Sequence, residues 1–211
     1  MVRMRKSYHH GNLRDAILKE SLLWIKKEGI ETLSLREIAK KLGVTHSAPN
    51  KHFPKKEVLL ANMVEHGFIQ FRIALLEGCK NLETEPREAF QSMCLSYIKF
   101  ANDNPEIYRL MFSKTLDDYE DYPACQKAGF ASFQVLLDAV NKLQEGGIIK
   151  QGDIREISFL LWSLIHGYVL LWQEGRIEGL KTKMEGKAEK LSDTHFFISL
   201  MNHLNSSIFL T

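Results

Sequence analysis

The chain has 211 residues, 45% hydrophobic and 26% charged. That composition suits one large or two small globular domains and excludes a disordered chain. Three cysteines at wide, irregular spacing (Cys79, Cys94, Cys125) match neither a disulfide framework nor a zinc-ligand pattern, and imply buried thiols in a reducing compartment, the cytoplasm. Net charge is +2, but residues 1–56 carry 13 Lys and Arg against 5 Asp and Glu, so a head of +8 precedes a body of −6. Nucleic acid is the obvious anionic partner for such a head, although a solvated basic face gives the same count.

The first ten residues, MVRMRKSYHH, are basic with no apolar run after them, so no signal peptide is expected. The pattern beyond them is helical throughout, and the expected fold class is all-α. A first helix spans about Asn12–Glu28, with Leu13, Ala16, Ile17, Ser21 and Trp24 at helical spacing and Gly29 as its stop. A second starts at Ser34, where S-x-x-E with Glu37 reads as a capping box, and ends at Leu42–Gly43. A third is expected from about Thr45 to Phe53, with Pro49 in its first turn or so, where a missing N–H matters little. Pro54 breaks the chain, and a long fourth helix follows from Lys55 to about Gly78. Further helices are expected near Pro86–Asn102, Pro105–Ser113, Pro123–Glu145, Asp153–Glu174 and Ser192–Phe209, with Gly175–Leu191 as a partly helical connector.

Residues 34–53, SLREIAKKLGVTHSAPNKHF, have the physics of a helix-turn-helix. Ile38 and Leu42 supply an apolar face, small Ala39 permits close approach, and Gly43 can take the positive φ of a sharp turn. Val44 and Ala48 can plug the gap between the helices. The second helix then offers short polar side chains at an end able to enter a major groove.

The stretch from about His9 to Gly67 resembles the N-terminal domain of the TetR/AcrR family of bacterial transcriptional regulators. The resemblance rests on YHHGNLRDAILKESL, Gly29, TLSLREIAKKLGV and HFPKKEVLL. In the body, Trp162, His166 and Gly167 of LLWSLIHGY are similar to the W-x-x-x-H-G pattern of one subgroup. The resemblance implies an N-terminal three-helix helix-turn-helix domain (1–56, with the motif at about 34–53) and a C-terminal helical bundle with dimerisation helices (57–211). One departure is Asn50, where the family usually has an aromatic that touches a backbone phosphate. Asn can bond a phosphate or an adenine edge, because its amide both donates and accepts.

By resemblance and position, Thr45, Lys51, His52 and Lys56 are the phosphate-positioning group, with Thr45 equally suited to a capping role. Lys56 opens a helix, where backbone N–H groups also favour phosphate. Arg36 is a further phosphate contact, and His46, Ser47 and Asn50 are base-edge candidates. Arg3, Arg5 and Lys6 fit either a minor-groove arm or an unstructured terminus.

The body carries no catalytic constellation, nucleophile-elbow spacing or H-E-x-x-H, so no enzyme, cofactor or metal is expected. Asp117, Asp118, Glu120 and Asp121 read as a solvated loop. The uncharged run Ile157–Gln173 falls short of the ~20 residues of a membrane span and reads as a buried helix, with no membrane partner. Being apolar nearly all round, that helix needs cover from a second chain or a cavity as well as its own bundle. The resemblance implies a two-fold interface from the last two helices, for which Leu161, Leu164, Gly167, Tyr168, Phe197, Leu200, Leu204 and Ile208 are the candidates. It also implies an effector pocket, assigned to Tyr97, Met111, Phe112, Phe133, Trp162 and His166, each of which also suits plain core packing. A homodimer on a palindromic double-stranded operator, about 34–36 Å between half-site centres, follows from the short reach of one recognition helix. The resulting expectation is a repressor released from its operator by a small-molecule effector. The competing reading is an α-helical ligand-binding protein, or an activator, whose head is altered.

Overall fold

The computed structural model describes residues 13–116 and 121–185. The described elements are α1 (Leu13–Glu28), α2 (Leu35–Leu42), a 3-10 turn (Pro49–Lys51), α3 (Lys56–Gly78), α4 (Pro86–Asp103), α5 (Pro105–Met111), α6 (Pro123–Glu145), α7 (Ile154–Gln173) and α8 (Arg176–Glu185). None of them is a strand, and the all-α expectation holds. The helix expected at 192–209, with Phe197, Leu200, Leu204 and Ile208, lies outside the described residues, as do Arg3, Arg5, Lys6, Asp117, Asp118 and Glu120. The connector expected at 175–191 carries α8 over Arg176–Glu185.

Contacts divide the chain into two units. Unit 1 runs to Gly67 and takes in Glu106–Gln126; unit 2 holds Phe68–Pro105 and the chain from Lys127 onward. The cut therefore falls inside α3, and a segment from mid-sequence belongs with the N-terminal residues.

In unit 1, α1 packs on α2 and on the 3-10 turn. Its buried line is Ile17, Ser21 and Ile25, at four-residue spacing. Trp24 flanks that line, and its Nε1–H donates to Thr32 Oγ1 at 2.9 Å. Ile38 and Ala39 of α2, Phe53, and Leu59, Met63 and Val64 of α3 complete the core. The Cys125 thiol donates to the Ala61 carbonyl at 2.8 Å, and Tyr108 is fully buried. Gly67 lets α5 lie against α3, since a Cβ there would meet Met111 Sδ at 2.7 Å.

Two expectations near the turn are corrected. Ser34 has the extended backbone of an N-cap, but its side chain makes no capping bond. Glu37 pairs instead with Lys40 at 3.8 Å, so no capping box forms. The helix expected at 45–53 is a chain of tight turns ending in the 3-10 turn. Pro49 has no N–H to give to the Thr45 carbonyl, which is satisfied by the Ala48 N–H at 3.0 Å. The pattern tightens to i→i+3 bonds, with Lys51 donating to Ala48 and His52 to Pro49.

In unit 2, α4 packs on α7. Phe71 and Leu75 of α3, Phe90, Met93, Tyr97 and Ile98 of α4, Val140 and Leu143 of α6, and Leu161, Ile165 and Val169 of α7 are buried. A Cβ at Gly78 would lie 2.7 Å from Met93 Cα, so that glycine is what lets the backbones of α3 and α4 meet. Asp153 caps α7 by accepting from the Arg155 N–H at 2.8 Å. By length and composition α7 could cross a membrane, as core helices of globular proteins also can. One face of it is buried here, with Ser158 and Val169 fully covered.

Candidate nucleic-acid interface

The candidate surface begins where α2 stops. Gly43 takes φ +68°, and its N–H and that of Val44 close on the Lys40 and Ala39 carbonyls. The left-handed backbone turns the chain through an angle that a side chain would strain. The next segment is anchored from inside: Pro49 and Phe53 are buried, and the Phe53 N–H donates to the Pro49 carbonyl at 2.8 Å. With those two held, Thr45, His46, Ser47, Asn50 and Lys51 all face solvent, and His52 is half-buried. Thr45 Oγ1 and Ser47 Oγ lie 3.4 Å apart. Arg36 and Lys56 are exposed as well, so the structure leaves seven of the eight residues predicted to touch DNA open to solvent.

Not every cation of the head is available. Lys41 Nζ lies 3.0 Å from Glu20 Oε1 and 4.6 Å above the Trp24 ring, which makes it a strut between α1 and α2. The Arg14 guanidinium sits 5.4 Å over the Phe53 ring and donates to Asn62 Oδ1. By contrast Arg36, Lys51, Lys55 and Lys56 form no ion pair among the described residues. Lys55, adjacent to Lys56, is exposed on the same edge and was not among the expected contacts, although its charge and position were visible in the sequence.

In unit 2 four of the six residues assigned to an effector pocket come together. Tyr97 OH lies 3.1 Å from His166 Nδ1, His166 is 5.8 Å from Trp162, and Trp162 is 5.8 Å from Phe133, ring to ring. Phe159 stacks on Phe133 at 5.2 Å. Burial lowers the pKa of His166 from its ordinary value, favouring the neutral ring. Met111 and Phe112 belong to unit 1, where Phe112 packs 4.9 Å from Tyr108. A groove of about 510 Å³ in unit 2 is lined instead by Gln134, Leu137, Asp138, Asn141 and residues 152–155.

Of the interface candidates on α7, Leu161 and Tyr168 face the core of unit 2, at 7% and 6% exposure. The open face is one residue out of register with them. Leu160, Leu164 and Leu171 are 52%, 37% and 51% exposed, and among the described residues nothing lies within 4 Å of a Cβ at Gly167. Positions 160, 164, 167 and 171 form one helical stripe.

A positive-φ glycine turn, a buried anchor and an exposed basic edge define a helix-turn-helix regulator of the DNA-binding class, here carrying a second, all-helical unit. Residues 17–63 match the family described as bacterial regulatory proteins, tetR family, and residues 90–194 match the tetracyclin repressor-like C-terminal domain. The chain belongs to the tetR family of transcriptional regulators.

Solved structures share the fold. A protein of unknown function from Rhodococcus sp. RHA1 is 26% identical, with a TM-score of 0.83 over 98% of this chain and 100% of that one. The TetR family transcriptional regulator PfmR from Thermus thermophilus is 15% identical, with a TM-score of 0.63 over 90% and 96%. A chain from Saccharomonospora viridis solved in complex with choline is 17% identical, with a TM-score of 0.67 over 94% and 98%. No curated protein matches the chain.

Proposed function

We propose that this regulator is a cytoplasmic homodimeric repressor that binds a palindromic operator and leaves it when a small molecule occupies unit 2. The observation that carries the reading is the solvent-facing edge Thr45–Lys51, held from behind by buried Pro49 and Phe53 and followed by Lys55 and Lys56, which have no ion-pair partner among the described residues. Lys51, Lys56 and Arg36 neutralise phosphates and set register, with His52 and Thr45 beside them. His46, Ser47 and Asn50 face base edges.

The exposed stripe of Leu160, Leu164, Gly167 and Leu171 supports a second copy packing on α7, because an apolar helical face of that length is stabilised by cover. The Tyr97–His166 pair among Trp162 and Phe133 supports an effector site that is mostly aromatic, with one polar anchor. A chain of the same fold has been solved with choline, which supports small-molecule binding by this architecture. An effector acts by favouring one of two head arrangements, and its effect equals its differential affinity for them. No residue of the described part forms a metal cluster, and the reading requires no catalysis.

Mobility shift of DNA from upstream of the protein's own gene, across a salt series, tests the reading. Sequence-dependent binding that weakens steeply with salt is expected. Equal affinity for all sequences, or none, would overturn it.

A further inference from the structure

The reading edge contains four exposed side chains between His46 and Lys51 that differ sharply in what they can select: His46, Ser47, Asn50 and Lys51. A lysine only donates, and as a point charge it suits phosphate. A serine offers one rotating hydroxyl, which accommodates several bases. A histidine presents its two ring nitrogens on opposite sides, so it makes one bond to one base. Asn50 alone carries a donor and an acceptor side by side in one plane, the spacing that matches adenine N7 and N6 in the major groove.

The local structure presents that amide well. Asn50 is the middle residue of the 3-10 turn, and its neighbour Pro49 is buried with φ fixed by its ring. Phe53, fully buried, holds the far side through its N–H bond to the Pro49 carbonyl. The Asn50 side-chain amide makes no hydrogen bond among the described residues. In contrast, Asn62 on α3 uses both of its polar atoms: Oδ1 accepts from Arg14 and Nδ2 donates to the Val58 carbonyl at 2.7 Å. A short side chain with two rotatable bonds, on a clamped backbone and with both polar atoms free, can read a base at little entropic cost.

We infer that Asn50 is a base-reading residue that selects adenine in each half-site, rather than a phosphate contact. This rests on the operator-binding reading above, and it assigns one letter of the operator to one residue. Of the two neighbours, Lys51 then takes the phosphate role, together with Lys56, His52 and Arg36.

Selection of binding sites from randomised DNA duplexes tests it, using the full chain, Asn50→Ala and Asn50→Asp. The wild-type chain should enrich a palindromic motif with an adenine at a fixed place in each half. Asn50→Ala should lose preference at that place alone, by on the order of tenfold, with the rest of the motif intact. Asn50→Asp should exchange adenine for cytosine there, because a carboxylate accepts from the cytosine amino group. If Asn50→Ala keeps the wild-type motif and weakens all sites evenly, Asn50 is a phosphate contact and the assignment is overturned. If the wild-type chain enriches no motif, the operator-binding reading itself falls, and the assignment with it.

Discussion

Tyr97 and His166 face each other across α4 and α7, the phenol oxygen 3.1 Å from Nδ1 of the imidazole. Tyr97 is 6% exposed and meets the edge of Phe71 at 4.8 Å, so its ring is held as well as its hydroxyl. Replacing Tyr97 with Phe removes one partner and leaves a partly buried ring nitrogen short of a hydrogen bond. Unfolding in urea should show a loss of about 1–2 kcal/mol, with no change in the denaturant slope. An unchanged midpoint would mean that the pair contributes nothing to the fold.

The same histidine predicts a pH dependence. Burial lowers its pKa in the folded chain below the ordinary value of 6.5, so the unfolded chain binds that proton more readily. Its contribution is therefore complete above pH 6.5 and declines as pH falls through the folded value. Melting temperature should drop from pH 7 towards pH 5, before carboxylates titrate, and His166→Gln should flatten that part of the curve. A curve of the same shape in both proteins would place the acid sensitivity elsewhere.

The head contains cations with different jobs, and salt titration separates them. Lys51→Ala and Lys56→Ala should weaken binding to all sequences and reduce the salt slope by about 0.9 for each phosphate that is no longer neutralised. Lys41→Ala should leave the slope unchanged, because Lys41 is committed to Glu20 and Trp24, and should lower the stability of unit 1 instead. A reduced slope in Lys41→Ala would assign that strut a place on the DNA.

Three glycines should respond in three ways to added side chains. Gly78→Ala puts a methyl into the backbone of Met93 and should destabilise by about 1–3 kcal/mol. Gly43→Ala forces an alanine to φ +68° and should cost about 1 kcal/mol without any clash. Gly167→Leu meets no atom of the described residues within 4 Å and should instead weaken self-association, read as a shift towards monomer in sedimentation velocity. A Gly167→Leu chain that still sediments as a wild-type dimer would move the interface off this stripe.

The cysteines should be silent. Burial pushes the Cys94 thiol up to about 12, and Cys79 and Cys125 to about 11. Thiolate is the reactive form, so at pH 8 none of the three should react with a colourimetric disulfide reagent until denaturant is added. Rapid labelling of the native chain would show an opening of the fold at that site.

Much of the architecture was legible because its signals are local. Pro86, Pro105 and Pro123 open α4, α5 and α6 where they were expected to, and Gly29 and Gly43 close α1 and α2, because a missing N–H or a free φ acts within one turn. The charge division was legible for the same reason, and so was the exposure of Thr45, His46, Ser47, Asn50 and Lys51, since short polar residues beside Pro49 and Phe53 had no core to enter. Pro49 was also visible, but its consequence was not. It removes the N–H that would have been the helical partner of the Thr45 carbonyl, and the bonds that follow, Ala48 to Thr45 and Lys51 to Ala48, are of the tighter i→i+3 kind.

Other features needed three dimensions. A helix as apolar as α7 has large apolar residues on both its covered and its open face, so packing against α4 decided that Leu161 and Tyr168 turn inward and Leu160, Leu164 and Leu171 turn outward. Lys41 counts as one more positive charge until α1 places Glu20 and Trp24 beneath it. Residues 106–126 read as the middle of the body, yet their contacts join them to the DNA-binding unit, through Met111 at Gly67 and Cys125 at Ala61. Sequence determines what each segment can do alone, because propensity, capping and charge act over a few residues. Partnership between segments far apart in the chain depends on which buried surfaces fit, and that is decided only when they meet.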